Sequence, residues 1–299
     1  MIDKEVINYP YFNDLYSLSD KVNTDFETDK EKVRAYYTWI VNNISYDINE
    51  SSNITPTNII VYNSNHEYNS IKRQQNLKNI KKTLESRKAI CKGFCLLFVE
   101  LCKLSNIKAE MVLGISKSSA NEIGLHNNIK NHAWNTVKVD GNWELLDITW
   151  SSGVINSKTN LWEKKFNEYY FFTPPEQFLN SHYPEHSNWQ LVDDKIDLQT
   201  FIETPIFYPK YFSSGITLSK NQKGEVKIND KEITISINKI KDSENIYYKF
   251  SHQKQTKKLY TVKTKDGIYT STINCKNKTD SLLSLYLETE PIITFKVKK

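Results

Sequence analysis

The chain has 299 residues, 38% hydrophobic and 12% aromatic, with 40 basic and 35 acidic side chains for a formal charge of +5. Its length exceeds the ~150 residues of an average domain, and its aromatic content excludes a disordered chain. The positive excess is spread thinly, without the basic face and motif of a nucleic-acid binder, and no apolar run approaches the ~18 residues of a membrane helix.

In chain order, residues 1–10 lack the apolar stretch of a signal peptide; a leader removed beforehand would leave export open, so the compartment is unassigned. The spacing of Val33, Tyr36, Tyr37, Ile40 and Val41 predicts a helix over 29–44, capped by Thr28 or Asp29. The Asn- and Ser-rich stretch 49–69, with Pro56, reads as a loop, and 71–85 as a helix with a thin apolar face. Residues 89–104 form the strongest helix pattern, with Phe94, Leu97, Phe98, Leu101 and Leu104 on one stripe. A strand is predicted over 107–115, with Ile107, Ala109, Met111, Leu113 and Ile115 on one face. After a polar loop at 117–131, strands at 132–139 and 142–149 meet at Asp140-Gly141, a strong hairpin signal. Residues 166–191 are aromatic, punctuated by proline and irregular. Beyond about Gly215 helical patterning stops, and seven short alternating runs take over: 226–228, 233–237, 247–250, 259–262, 269–273, 282–287 and 292–297. They predict a β-sandwich.

Four cysteines are too few for a disulfide framework in a chain of this length. Cys91 stands in the first turn of the 89–104 helix, where unpaired backbone N–H groups and the positive dipole end favour thiolate over thiol. Gly93 is expected to keep the surface bare beside the sulfur. Cys95 and Cys102 lie deeper in that helix and read as small buried apolar residues, with Cys275 far away.

A two-residue turn at Asp140-Gly141 makes paired positions sum to 281, so Trp134 faces Asp147 and His132 faces Thr149. His132 and Asp147 then share a sheet face as diagonal neighbours, about 7 Å apart at the backbone. Trp134, Trp143 and Leu145 share that face, and the stripe of the Cys91 helix is its expected cover. A carboxylate on such a face is costly unless paired. The packing would bring the thiol to an imidazole whose other nitrogen meets a carboxylate. There His132 takes the thiol proton and Asp147 holds the ring in tautomer and orientation.

The residues that carry this reading also carry a resemblance. Cys91-Lys92-Gly93-Phe94, Asn131-His132-Ala133-Trp134-Asn135, and Trp143 followed by Leu145-Leu146-Asp147-Ile148-Thr149-Trp150 resemble the core of the transglutaminase-like superfamily. Upstream, Trp39-Ile40, Ile44 and Tyr46-Asp47 resemble its preceding helix. Downstream, Tyr170 through Phe178, His182-Tyr183-Pro184 and Trp189-Gln190-Leu191 are similar to the kyphoscoliosis-peptidase branch. The match runs over roughly residues 30–195. It implies an α+β, papain-like fold with Cys91 as nucleophile, His132 as general base and Asp147 as orienting acid. The oxyanion donor is expected to be the Cys91 backbone N–H, and no side chain is assigned to complete it. His182 is implied to anchor the irregular segment.

The expected organisation is a transglutaminase-like domain at 1–204 and an all-β sandwich at 205–299, an immunoglobulin-like arrangement being one option. Thiol-dependent acyl transfer or hydrolysis at protein or peptide amides is the expected function: a protease, a deamidase or a transglutaminase working through a thioester. The alternative is a silent module of the same fold that acts as a protein-binding adaptor. Trp134 and Trp150 are the expected substrate-binding residues; Trp143 reads as core. No metal or cofactor is expected: His182 and His186 are four apart, but Pro184 between them prevents the helix that would align them, and a zinc knuckle like that of peptide N-glycanases is absent. The expected partner is a protein or peptide substrate, with no nucleic acid and no membrane span; the oligomeric state is left open.

Overall fold

The computed structural model describes residues 1–52, 61–125, 129–156, 158–219, 221–239, 246–275 and 280–299. The chain divides into two compact units, one of residues 1–114 and 131–174 and one of 115–130 and 175–299.

The first unit opens with helices α1 (Ile2–Ile7), α2 (Leu15–Asp25) and α3 (Asp29–Asn43). Neither α1 nor α2 is among the predicted elements. The start of α3 is a capping box, in which the Thr28 hydroxyl accepts from Glu31 N–H and the Glu31 carboxylate accepts from Thr28 N–H. Strand β1 (Ser45–Tyr46) then pairs in parallel with β2 (Lys88–Ala89). Between them come α4 (Ile48–Ser52) and α5 (Asn65–Ser86). The predicted loop at 49–69 is therefore helical at both ends, and its residues 53–60 lie outside the described ones. Caps hidden in the polar composition explain the difference. Asp47 Oδ1 accepts from Glu50 N–H at 3.0 Å and Ser64 Oγ from Glu67 N–H at 3.2 Å, which satisfies otherwise unpaired first-turn donors.

Helix α6 (Cys91–Leu104) is buried from Gly93 to Phe98 and again at Leu101 and Cys102. It shares one core with Leu18 and Val22 from α2 and Tyr36, Trp39 and Ile40 from α3. Strands β3 (Ala109–Ser116), β4 (His132–Val139) and β5 (Asn142–Leu146) run antiparallel in the order β5-β4-β3. On β3, Ala109 and Met111 pack on the core while Leu113 on the same face is 39% exposed. The predicted apolar face thus covers only the first part of the strand. The hairpin keeps the expected register from Val139↔Asn142 to Asn135↔Leu146. Beyond Leu146 the prediction fails: Asp147 leaves the ladder and caps α7 (Ile148–Ser152), which leads into the hairpin β6 (Gly153–Ile155) and β7 (Trp162–Lys164).

The expected cover is also on the other side. Val137, Val139 and Leu146 share the α6 core, and Asn135 Nδ2 donates to Cys95 O at 3.2 Å. Trp134, Thr136 and Leu145 therefore point away from α6, because successive side chains alternate. Strand β4 is buried on both faces, so its alternation could not show which face the helix would take.

In the second unit, the predicted polar loop at 117–131 contains a 3₁₀ turn at Ala120–Glu122; its residues 126–128 lie outside the described ones. The irregular segment resolves into short pieces, α8 (Pro175–Phe178) and β8 (His182–Pro184). His182 is buried there, stacked on Phe178 at 4.1 Å between centroids, with Nδ1 2.8 Å from Ser181 Oγ. Then come α9 (Leu198–Glu203), β9 (Ile206–Phe207) and α10 (Pro209–Ser214). No helix follows among the described residues.

The rest is a two-sheet sandwich of β10 (Thr217–Leu218), β11 (Glu225–Lys227), β12 (Glu232–Lys239), β13 (Ile246–Phe250), β14 (Lys257–Lys258), β15 (Val262–Lys263), β16 (Tyr269–Asn274), β17 (Ser281–Leu287) and β18 (Glu290–Lys298). One sheet has the order β10-β12-β16-β15; the other has β11-β18-β17-β13-β14, with β9 also on β18. Ile233, Ile235 and Ile273 from the first sheet meet Leu283, Leu285 and Phe295 from the second in one core. The predicted strand 259–262 is instead a crossing between sheets: β14 pairs with β13, β15 pairs with β16, and Leu259 is buried between them.

Candidate active site

Cys91 opens α6 after the extended residue Ile90, which gives the helix no side-chain cap. Its thiol is half-buried, whereas Cys95, Cys102 and Cys275 are buried, and all four are free. Burial pushes the Cys95 and Cys102 thiols well up, with the Cys91 charge adding to the effect at Cys95. Gly93 is buried rather than bare surface: a Cβ there would lie 2.6 Å from Ala89 Cβ and 2.9 Å from Thr83 Oγ1. Glycine serves the close approach of α6 to β2 and α5, which corrects the role expected for it.

His132 begins β4, opposite Gly114 of β3. Its Nε2 lies 2.6 Å from Asp147 Oδ2. Asp147 is fully buried and held at every polar atom. Its N–H donates to Tyr170 O at 2.9 Å, Oδ1 accepts from Trp150 N–H at 3.0 Å, and its carbonyl accepts from Ser151 Oγ at 2.6 Å. Such multiple bonding is what makes a buried carboxylate tolerable. Cys91 also acts on the His132 imidazole, favouring its charged form. Burial alone would pull the imidazole down. The Asp147 charge and hydrogen bond, with Cys91 adding to them, outweigh it and raise the pKa to about 10.

His132 and Asp147 therefore meet, though not by the expected extension of the ladder, and Cys91 acts on the same imidazole. Asn135 contributes to the placement by donating to Cys95 O and to Glu110 O, each at 3.2 Å, which ties α6 to the sheet. The Trp150 ring lies 5.4 Å from the His132 ring and remains half-exposed, with Tyr170 edge-on to it at 5.4 Å. The Trp134 ring is 6.2 Å from His132 but only 1% exposed, so it backs the imidazole instead of lining open surface.

Sequence reasoning passed over Ser151 and Tyr170, whose hold on Asp147 depends on the exit from β5. It also passed over Tyr46, quoted in the motif but given no role. Tyr46 sits beside Ala89 across the β1–β2 pair, and burial together with the Cys91 charge pushes its phenol up.

Comparison with known proteins follows the same residues. Residues 16–148 match the model of the transglutaminase-like superfamily. Human kyphoscoliosis peptidase is 28% identical over 216 residues, covering 70% of this chain and 29% of that protein. The Caenorhabditis elegans Lim and transglutaminase domain protein ltd-1 is 24% identical over 242 residues, covering 75% of this chain and 30% of that protein. The chain thus spans less than a third of the length of either relative. A solved structure described as a TGase aligns with a TM-score of 0.32 and 22% identity over 54% of this chain and 36% of its own.

Proposed function

From the premise that residues 16–148 are a transglutaminase-like superfamily domain, we propose that the chain is a cysteine-dependent enzyme acting on protein or peptide amides. The Cys91 thiolate attacks the amide carbonyl, and a C–S bond forms as the carbonyl π pair moves to oxygen. The resulting tetrahedral species collapses as His132 passes its proton to the departing nitrogen, leaving a thioester on Cys91. Asp147 keeps Nε2 engaged, so that Nδ1 is the nitrogen turned to the thiol. Water resolves the thioester in a protease or deamidase, and a Lys amine resolves it in a transglutaminase. Hydrolysis is the preferred reading because water is the default nucleophile. The chemistry is assigned to 1–204, and the sandwich at 205–299 supplies no triad residue. Trp150 is the group proposed to contact substrate.

The observation that carries the proposal is the His132–Asp147 bond at 2.6 Å on an imidazole that the Cys91 charge also favours in its protonated form. It is tested by limiting iodoacetamide at neutral pH with mass spectrometry. Ammonia release and peptide cleavage are followed in parallel on glutamine-containing peptides, with and without an added amine. Cys91 should be labelled ahead of the other three cysteines, and one of the two activities should depend on it. A folded wild type that turns over nothing and reacts at Cys91 no faster than a model thiol would remove the catalytic claim and leave the adaptor reading standing.

A further inference from the structure

Asp147 is drawn out of the ladder by the segment at 167–171. Tyr170 O accepts from the Asp147 N–H at 2.9 Å, and Phe171 bridges Leu146, the residue before it. Whatever fixes that segment also fixes where the Asp147 carboxylate stands. On the α7 side, the Asn167 N–H donates to Ser151 O at 2.9 Å. A second hold comes from Arg34 on α3, a residue outside every motif read from the sequence.

The Arg34 guanidinium forks onto two carboxylates. Nε and Nη2 donate to Asp3 of α1, with Nε 2.7 Å from Oδ1. Nη1 and Nη2 donate to Glu168, with Nη2 2.8 Å from Oε2. Glu168 begins the 3₁₀ turn Glu168–Tyr170, which ends on the carbonyl that meets Asp147. The guanidinium also lies 4.6 Å from the centre of the Phe171 ring and 5.2 Å from that of Tyr37, and those rings are 4.7 Å apart. A planar fork held by rings in this way fixes the direction of its partner. Because the Glu168 side chain is 60% exposed, the pair contributes little stability by itself, so placement is its larger effect.

We propose that Arg34 is a positioning residue: through Glu168 and Phe171 it fixes the 168–171 segment, and thereby holds the Asp147 carboxylate against His132. The proposal rests on the thiol reading above. Arg34 touches no reacting atom. It acts at the moment His132 takes the thiol proton, when the new imidazolium needs Asp147 within hydrogen-bond reach. With Arg34 removed, the segment is tied only from the α7 side and the carboxylate is free to drift from Nε2.

Histidine titration by NMR reads this placement directly, with His132→Gln identifying the signal. The wild-type His132 ring should stay protonated up to about pH 10. In Arg34→Met it should titrate lower, toward the ordinary value of about 6.5. Iodoacetamide should then alkylate Cys91 about tenfold more slowly at neutral pH, since a misplacement of ~1 Å can cost as much as ~10²-fold. Arg34→Lys keeps the charge but not the fork and should recover only part of the rate. A lower urea midpoint with the His132 titration and the Cys91 rate unchanged would make Arg34 a stabilising residue only and overturn the proposal. If Arg34→Met does not fold, Glu168→Ala decides, because it removes an exposed side chain. The same downward movement of the His132 titration is expected there, and its absence would refute the role. If wild-type Cys91 reacts no faster than a model thiol, the thiol reading fails and this proposal falls with it, whatever the titration shows.

Discussion

Asp147 serves two elements at once: Oδ2 lies 2.6 Å from His132 Nε2, and Oδ1 accepts from Trp150 N–H at 3.0 Å as the N-cap of α7. Substitutions can separate these roles. Asp147→Asn keeps an oxygen for the cap but can set an amide N–H against the imidazole and favour the wrong tautomer. The corresponding change in a serine triad costs on the order of 10⁴ in turnover. The loss here should be smaller, because a thiol is partly ionised without a base. Asp147→Ala should lose activity at least as far and also forfeit the cap, adding about 1 kcal/mol of destabilisation. Urea midpoints and turnover of the two variants check this. Equal stability with unequal activity would show that the cap contributes nothing.

The raised pKa of His132 predicts a pH-dependent stability. A group whose folded pKa is about 10 against an ordinary 6.5 contributes stability that is fully present below pH 6.5 and lost as pH rises through about 10. Lys117 works in the opposite direction. Burial lowers its pKa to about 7, although Nζ donates to Phe201 O, Thr204 O and Thr204 Oγ1. The unfolded chain therefore binds more protons here between about pH 7 and 10.5, and stability rises across that window. The two effects offset each other in wild type. Chemical denaturation from pH 6 to 10 should show wild type losing stability relative to His132→Gln and gaining it relative to Lys117→Met. Parallel curves would contradict both assignments.

Gly93 allows a test of packing near Cys91. Gly93→Ala gains about 1 kcal/mol in helix propensity but sets a methyl 2.6 Å from Ala89 Cβ and 2.9 Å from Thr83 Oγ1. The first contact is a short side chain on β2 with no rotamer to yield. Overpacking of this kind costs about 1–3 kcal/mol, so the net change should be destabilising. Ala89→Gly should recover part of it in the double variant. If Gly93→Ala is stabilising, the close approach of α6 to β2 is not real.

The register of the hairpin was legible because it is a local property. Asp140 and Gly141 both take positive φ, at 51° and 84°, and a two-residue turn of that kind sets every pair behind it. The stripe on α6 and the sandwich strands were legible for a similar reason, since a 3.6- or 2-residue period records that one face is buried. Such a period does not say what buries it.

The amino-acid sequence by itself determined the helix that Cys91 opens, the hairpin ladder, and the pairing of a histidine with an aspartate near its end. Tertiary structure decided the rest. It set α6 on the Val137 and Leu146 face of a strand buried on both sides. It drew Asp147 out of the ladder, where its N–H meets Tyr170 O. It packed Gly93 against Ala89 and Thr83 and placed Tyr46 opposite Ala89 through a two-residue parallel pair. Each outcome depends on partners distant in sequence, and a short-range pattern carries no information about which distant surface will supply the complementary contact.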